Sequence, residues 1–230
     1  MSRQRIYRDF TYREAVFRIC CEAFDAVTQT LIEQRHLLEA YILNHSEFRT
    51  TLHPLPLDPA APEVAQRMMR AAQRIGVGPM AAVAGTMAQL AGEAGLAAGA
   101  AEVIIENGGD IYLHTTQPVV VGLYPGASSL AHKLAFSLES EDTPLAICSS
   151  SGNMGHSMSL GACDLATVVA EDTALADAAA TQAANQVKTV EDVDAVLERI
   201  AGIDGIDGIL IIQQDRIGLA GKLPALIRST

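Results

Sequence analysis

Tryptophan is absent from this 230-residue chain, and Phe and Tyr supply only 4% of it. A core assembled around large rings is therefore excluded. The apolar fraction of 49% leans on Ala and Gly, so close backbone packing has to replace bulky side chains in places. Positive charge is also scarce, with 16 Lys and Arg against 27 Asp and Glu, a net charge of −11 and a pI near 4.9. That balance excludes a general nucleic-acid or anionic-membrane surface, which needs clustered Lys and Arg. Individual phosphates remain accessible to backbone N–H groups or to a metal. The four cysteines, Cys20, Cys21, Cys148 and Cys163, form no C-x-x-C pair, which argues against a zinc site and against a disulfide framework. There is no apolar signal-peptide core in MSRQRIYRDFTYRE, and the small-residue stretch from Met80 to Ala100 is interrupted by Gln89, Gly92, Glu93 and Gly95. A cytoplasmic protein with reduced thiols is expected.

What remains is a globular chain of mean hydropathy +0.20, long enough to bury a full core. It reads as one domain over residues 1–230, with a subdivision into 1–61 and 62–230 at the prolines 54, 56, 59 and 62. Charge is uneven. Residues 1–74 carry ten Arg and nine Asp or Glu, whereas residues 75–230 carry six Lys or Arg and eighteen Asp or Glu. A cation would be at home in the second part.

Local pattern predicts an α+β chain. Residues 5–23, around a turn at Asp9, suggest a short hairpin or two edge strands, and Asp25 is placed to cap a helix to about Asn44. Pro62 and Gly76 bracket a second helix, and Pro79 opens a third to about Ala97, whose small residues Ala81, Gly85, Ala88 and Gly92 admit a close neighbour. Strands follow at 101–105, 111–113, 119–124, 132–138, 145–148 and 165–169, then helices at 172–187 and 190–200, and a closing hairpin of 209–213 with 217–220.

Three elements could carry chemistry. In Glu106-Asn107-Gly108-Gly109-Asp110, Gly108 and Gly109 let a ligand approach the backbone and Asp110 can accept hydrogen bonds, although a plain hairpin turn reads the same way. The run Cys148-Ser149-Ser150-Ser151-Gly152-Asn153-Met154-Gly155-His156-Ser157 offers hydroxyls and backbone N–H groups suited to a phosphate, or is a surface loop. No G-x-S-x-G elbow accompanies it, which disfavours a Ser/His/Asp hydrolase. In Ala176-Asp177-Ala178-Ala179-Ala180-Thr181 a carboxylate and a hydroxyl four residues apart share one helix face, hard oxygen donors of the kind Mg²⁺ takes, unless they serve only the helix. Cys148 borders the Ser/Gly loop, whose N–H groups could lower its pKa and make it reactive, or it is a structural thiol.

Read in order, these parts resemble the ApbE-type flavin transferase superfamily, whose members bind FAD and, with Mg²⁺, move FMN onto a protein Thr. The resemblance spans roughly residues 76–187: the Gly/Ala-rich helix, VIIENGGD, the SSSG loop, His156, ATVVAED and ADAAAT. More narrowly the chain is similar to the short ApbE-like branch with an SSSG-x-x-GHS loop, which is linked to sulfide assimilation into homocysteine. The resemblance implies that Asp177 and Thr181 hold Mg²⁺, that Gly108, Gly109 and Asp110 line a site for FAD or FMN, and that Ser150, Ser151 and Gly152 face the phosphates. His156 or Asp110 would activate an acceptor hydroxyl. Where the transferases carry a Lys and an Asp in the Gly-rich helix this chain has Ala84 and Gln89, and their H-I-x-D-P is here His156-Ser157-Met158-Ser159. Binding of a flavin or related phosphate ligand is thus implied more directly than flavin transfer. Two other readings stay open: a sulfur-handling accessory that uses Cys148 beside a partner enzyme, and a scaffold that keeps only the fold. The composition is compatible with a homodimer.

Overall fold

Alternating apolar residues, rather than any long apolar run, set the framework of the chain. The computed structural model describes residues 4–126, 134–152 and 162–228. The N-terminal hairpin is β1 (Arg8–Tyr12) and β2 (Ala15–Cys21), followed by helix α1 (Phe24–Asn44), a short turn of helix α2 (Glu47–Thr50) and α3 (Glu63–Ile75). After a 3₁₀ turn at Pro79–Ala82 comes α4 (Val83–Ala97), then β3 (Val103–Asn107), β4 (Asp110–His114), β5 (Val119–Leu123), β6 (Leu134–Leu138), β7 (Leu145–Ser150) and β8 (Leu165–Ala170). The chain continues through α5 (Thr173–Gln186), α6 (Val193–Ala201), β9 (Ile206–Gln213), β10 (Arg216–Gly221) and β11 (Ala225–Arg228).

Eight strands form one sheet in the order β1-β2-β3-β4-β7-β8-β9-β10, with every neighbouring pair antiparallel. The segment between β4 and β7 leaves this sheet and builds a second one, β11-β6-β5, closed by the last strand of the chain. Side chains alternate across a strand, so the inner strands of the large sheet serve two cores. In β7, Leu145 and Ile147 join Val119, Val121, Leu123, Phe136 and Leu138 of the small sheet. Ala146 and Cys148 face the helices, with Met68, Ala88, Leu175 and Ala179 in the same core. The molecule is therefore α+β in three layers: helices, large sheet, small sheet.

Small residues make the helix layer. Ten of the fourteen residues of α5 are buried, most of them Ala, so the helix presses against strands and helices on several sides at once. Gly92 of α4 lies against the Tyr112 ring, where a Cβ would come within 2.2 Å of a ring carbon. Gly85 lies against α5, where a Cβ would stand 2.5 Å from the Thr173 carbonyl oxygen. The close neighbours expected of this helix are thus β4 and α5.

The structure departs from the expected elements in several places. Asp9 lies inside β1, and the hairpin turns instead at Arg13 and Glu14. Asp25 sits inside the first turn of α1, after an N-cap at Ala23. Pro62 is the N-cap of α3 rather than its first residue, while Gly76 closes that helix in the left-handed conformation as expected. Ser149 and Ser150 extend β7 instead of opening a loop, because both pair with β8. The closing hairpin is followed by β11, a short exposed strand whose sequence has no alternating apolar run to announce it.

Candidate functional site

The site begins at a turn. Gly108 and Gly109 both have positive φ, +65° and +106°, which is the backbone of a two-residue hairpin joining β3 to β4. The hairpin reading of this segment therefore holds, and its effect is to start β4 at Asp110. Alternation then directs Asp110 and Tyr112 to the helix side of the sheet. Asp110 is only 6% exposed there, and its Oδ1 has no hydrogen-bond partner among the described residues. Asn107 ties the turn to the start of α4, its Nδ2 donating to the Ala84 carbonyl at 3.3 Å.

Asp177 comes from above, on α5. Because Gly85 has no side chain, α5 comes close enough for Asp177 Oδ2 to accept the Gly85 N–H at 2.8 Å, so a carboxylate caps the N-terminal turn of α4 from another helix. Asp177 is 7% exposed. Burial pushes its pKa up to about 7, against the pull of the Gly85 and Ala84 N–H groups. Burial raises Asp110 well above the usual carboxylate range as well, and the neighbouring Asp177 charge adds to it. A buried carboxylate beside a second carboxylate is costly to ionise, and a proton or a cation relieves that cost.

Around this pair the first turn of α5 is held from α4: the Thr173 N–H donates to Gln89 Oε1 at 2.9 Å, while Thr173 Oγ1 is buried without a partner. Thr181 lies one turn beyond Asp177 on α5 and is half-buried. Across β7, Cys148 is the direct register partner of Asp110. It is fully buried, and burial together with the Asp110 and Asp177 charges pushes its thiol well up. This corrects the expectation of a lowered thiol pKa at Cys148. Burial and the carboxylates beside it oppose a thiolate more than the Ile111 N–H favours one.

The Ser/Gly segment divides between the two faces of the sheet. Ser149 Oγ is 2.9 Å from Thr167 Oγ1, on the face opposite Cys148. Ser150 shares the face of Cys148 by alternation and is half-buried, and Ser151 is buried. The Gly152 N–H, which the resemblance directs toward a phosphate, donates instead to the Cys163 carbonyl at 2.8 Å. His156 lies outside the described residues. Among the described residues no three His, Cys, Asp or Glu side chains converge as a metal cage, and no single helix is long and apolar enough to cross a membrane. The structure thus brings Asp110, Asp177 and Cys148 together. It also adds Thr173, which the sequence did not single out, and gives Gln89, noted above as a departure from the transferases, the task of holding the Thr173 N–H.

A family model described as AbpE bacteria matches residues 16–204. A UPF0280 protein of Methanosarcina acetivorans is 39% identical over 231 residues, covering 99% of this chain and 91% of that protein. One from Archaeoglobus fulgidus is 39% identical over 224 residues, covering 94% and 92%. Among solved structures, the ApbE protein of Thermotoga maritima superposes with a TM-score of 0.61 at 12% identity, covering 98% of this chain and 97% of that one. The flavin transferase ApbE of Vibrio cholerae superposes with a TM-score of 0.58 at 13% identity, covering 94% and 96%. These two likenesses are of fold.

Proposed function

The chain belongs to the family described as AbpE bacteria, and from that premise we propose that it binds a flavin nucleotide or a related phosphate ligand together with Mg²⁺ at the Asp110–Asp177 site. The observation that carries this reading is the pair of buried carboxylates, Asp110 and Asp177, of which Asp110 leaves Oδ1 without a partner among the described residues. A divalent cation suits such a place. The donor set of two carboxylates with the Thr181 hydroxyl is all oxygen, and it is sparse enough to leave positions for water and phosphate oxygens, as Mg²⁺ prefers. Asp177 and Thr181 would hold the ion, with Asp110 beside them. When bound, Mg²⁺ supplies charge neutralisation and Lewis-acid polarisation at a pyrophosphate.

The chain's own residues have separable roles in this reading. Asp177 keeps its carboxylate fixed by accepting the Gly85 N–H, so its free lone pairs point in a set direction. Asp110, raised in pKa, accepts a proton from a ligand hydroxyl or amine more readily than an ordinary carboxylate does. The burial of both groups excludes water and strengthens their electrostatic hold on a ligand. Flavin transfer to an acceptor is the further step this arrangement would allow, with Asp110 as the base. Ala84 and Gln89, standing where the transferases carry Lys and Asp, favour binding over transfer.

The test is a titration of FAD into metal-free protein with and without Mg²⁺. Wild type is expected to bind only with Mg²⁺, and Asp177→Asn, which preserves the bond to Gly85, is expected to bind at least about tenfold more weakly, the scale of one lost charged contact. Binding that is indifferent to both Mg²⁺ and Asp177 would overturn the reading.

A further inference from the structure

The Cys148 thiol has no part in the binding just proposed, yet its surroundings are not those of a plain apolar residue. Asp110 stands directly opposite it across β4 and β7, and Cβ atoms in such pairs are about 4.5–5.5 Å apart. The thiol and the Asp110 carboxylate therefore face each other on the helix side of the sheet, both buried. On its other side Sγ lies 3.6 Å from the Thr173 carbonyl oxygen, at the first residue of α5. One S–H therefore stands between two acceptors, one on the sheet and one on a helix. The helix acceptor is a fixed point. The Thr173 N–H is held by Gln89, and its carbonyl packs against Gly85. The carboxylate is the partner in need of placement, since Asp110 is more than nine-tenths buried and its Oδ1 has no hydrogen bond among the described residues. Ala or Val would fill the same space as Cys but would offer no donor.

We propose that Cys148 is a positioning residue: its thiol braces the Asp110 carboxylate against the first turn of α5, holding it beside Asp177 with Oδ1 left for the ligand. The ligand in this statement rests on the nucleotide reading above, while the brace itself does not. It assigns the thiol a structural-chemical task within the site and needs neither a thiolate nor a covalent step.

Two measurements test it. The infrared S–H stretch falls in a window free of other protein bands, and the Cys148 component is identified by its loss in Cys148→Ser. In ligand-free protein that component is expected at lower frequency than those of the other thiols, and it is expected to move upward in Asp110→Asn, whose neutral amide is a weaker acceptor. A band that Asp110→Asn leaves in place would mean that the thiol serves only Thr173, and would overturn the proposal. In Mg²⁺-dependent FAD titration, Cys148→Ala is expected to weaken binding about tenfold, and Cys148→Ser, which restores a donor, to recover most of it. Equal binding by Cys148→Ala and wild type would overturn it too. If wild type binds no FAD while the S–H band shifts in Asp110→Asn, the nucleotide reading falls and the brace stands.

Discussion

Asp177 carries a conflict within a single side chain: it caps α4, which favours its charge, in a place where burial opposes that charge. The balance has a pH signature. Its folded-state pKa is raised from 3.8 to about 7, so between those values the unfolded chain binds fewer protons than the folded one, and folding stability contributed by this group falls as pH rises. The contribution is fully present below the unfolded pKa and lost through the folded one. Metal-free protein compared with Asp177→Asn by thermal denaturation is expected to lose stability relative to the variant from pH 5 to pH 8, by on the order of 2 kcal/mol. Mg²⁺ with nucleotide is expected to reverse the ranking at pH 8, and parallel curves would show that the carboxylate is not strained. The spacing of Asp177 and Thr181 was visible in the sequence because helix periodicity is local. The pairing of Asp110 with Cys148 was not, because register between strands separated by another sheet is set by tertiary packing.

Helix α4 shows the same division one level up. Its glycines announced a close neighbour, but only the fold tells that Gly92 faces Tyr112 of β4 and Gly85 faces α5. The two contacts predict different phenotypes. Gly92→Ala forces the Tyr112 ring aside and is expected to destabilise the protein by about 2–3 kcal/mol, seen as a lowered Tm, because overpacking a filled core costs on that scale. Gly85→Ala drives a methyl into backbone, at Thr173, and must move α5 with Asp177 on it. Mg²⁺-dependent FAD binding is therefore expected to suffer in Gly85→Ala beyond its loss of stability, whereas Gly92→Ala binds normally at temperatures where it is folded. Equal binding losses in the two would refute this assignment. Elements with strong periodicity, such as α3 and β9, were legible to within a few residues. β11 was not, since four exposed residues paired to a strand about ninety positions earlier carry no local signal.

At the scale of the whole molecule, the α+β class could be read from the change of period after residue 100, but the three layers could not, because nothing local says that β5 and β6 leave the sheet their neighbours form. The layering buries all four cysteines, Cys20 and Cys21 at 8% exposure and Cys148 and Cys163 at none. Thiol labelling of the native protein is consequently expected to be slow at every site, and Cys148 and Cys163 are expected to react only at the rate of global opening. Rapid labelling of Cys148 before the others would revive a role for it in sulfur chemistry. The topology also bears on biosynthesis. The small sheet takes its third strand from residues 225–228, close to the C-terminus, and that strand pairs with residues 134–137. A chain emerging from the ribosome can assemble the N-terminal hairpin early, but β6 must wait, one edge bare, until residues 225–228 follow about ninety positions later.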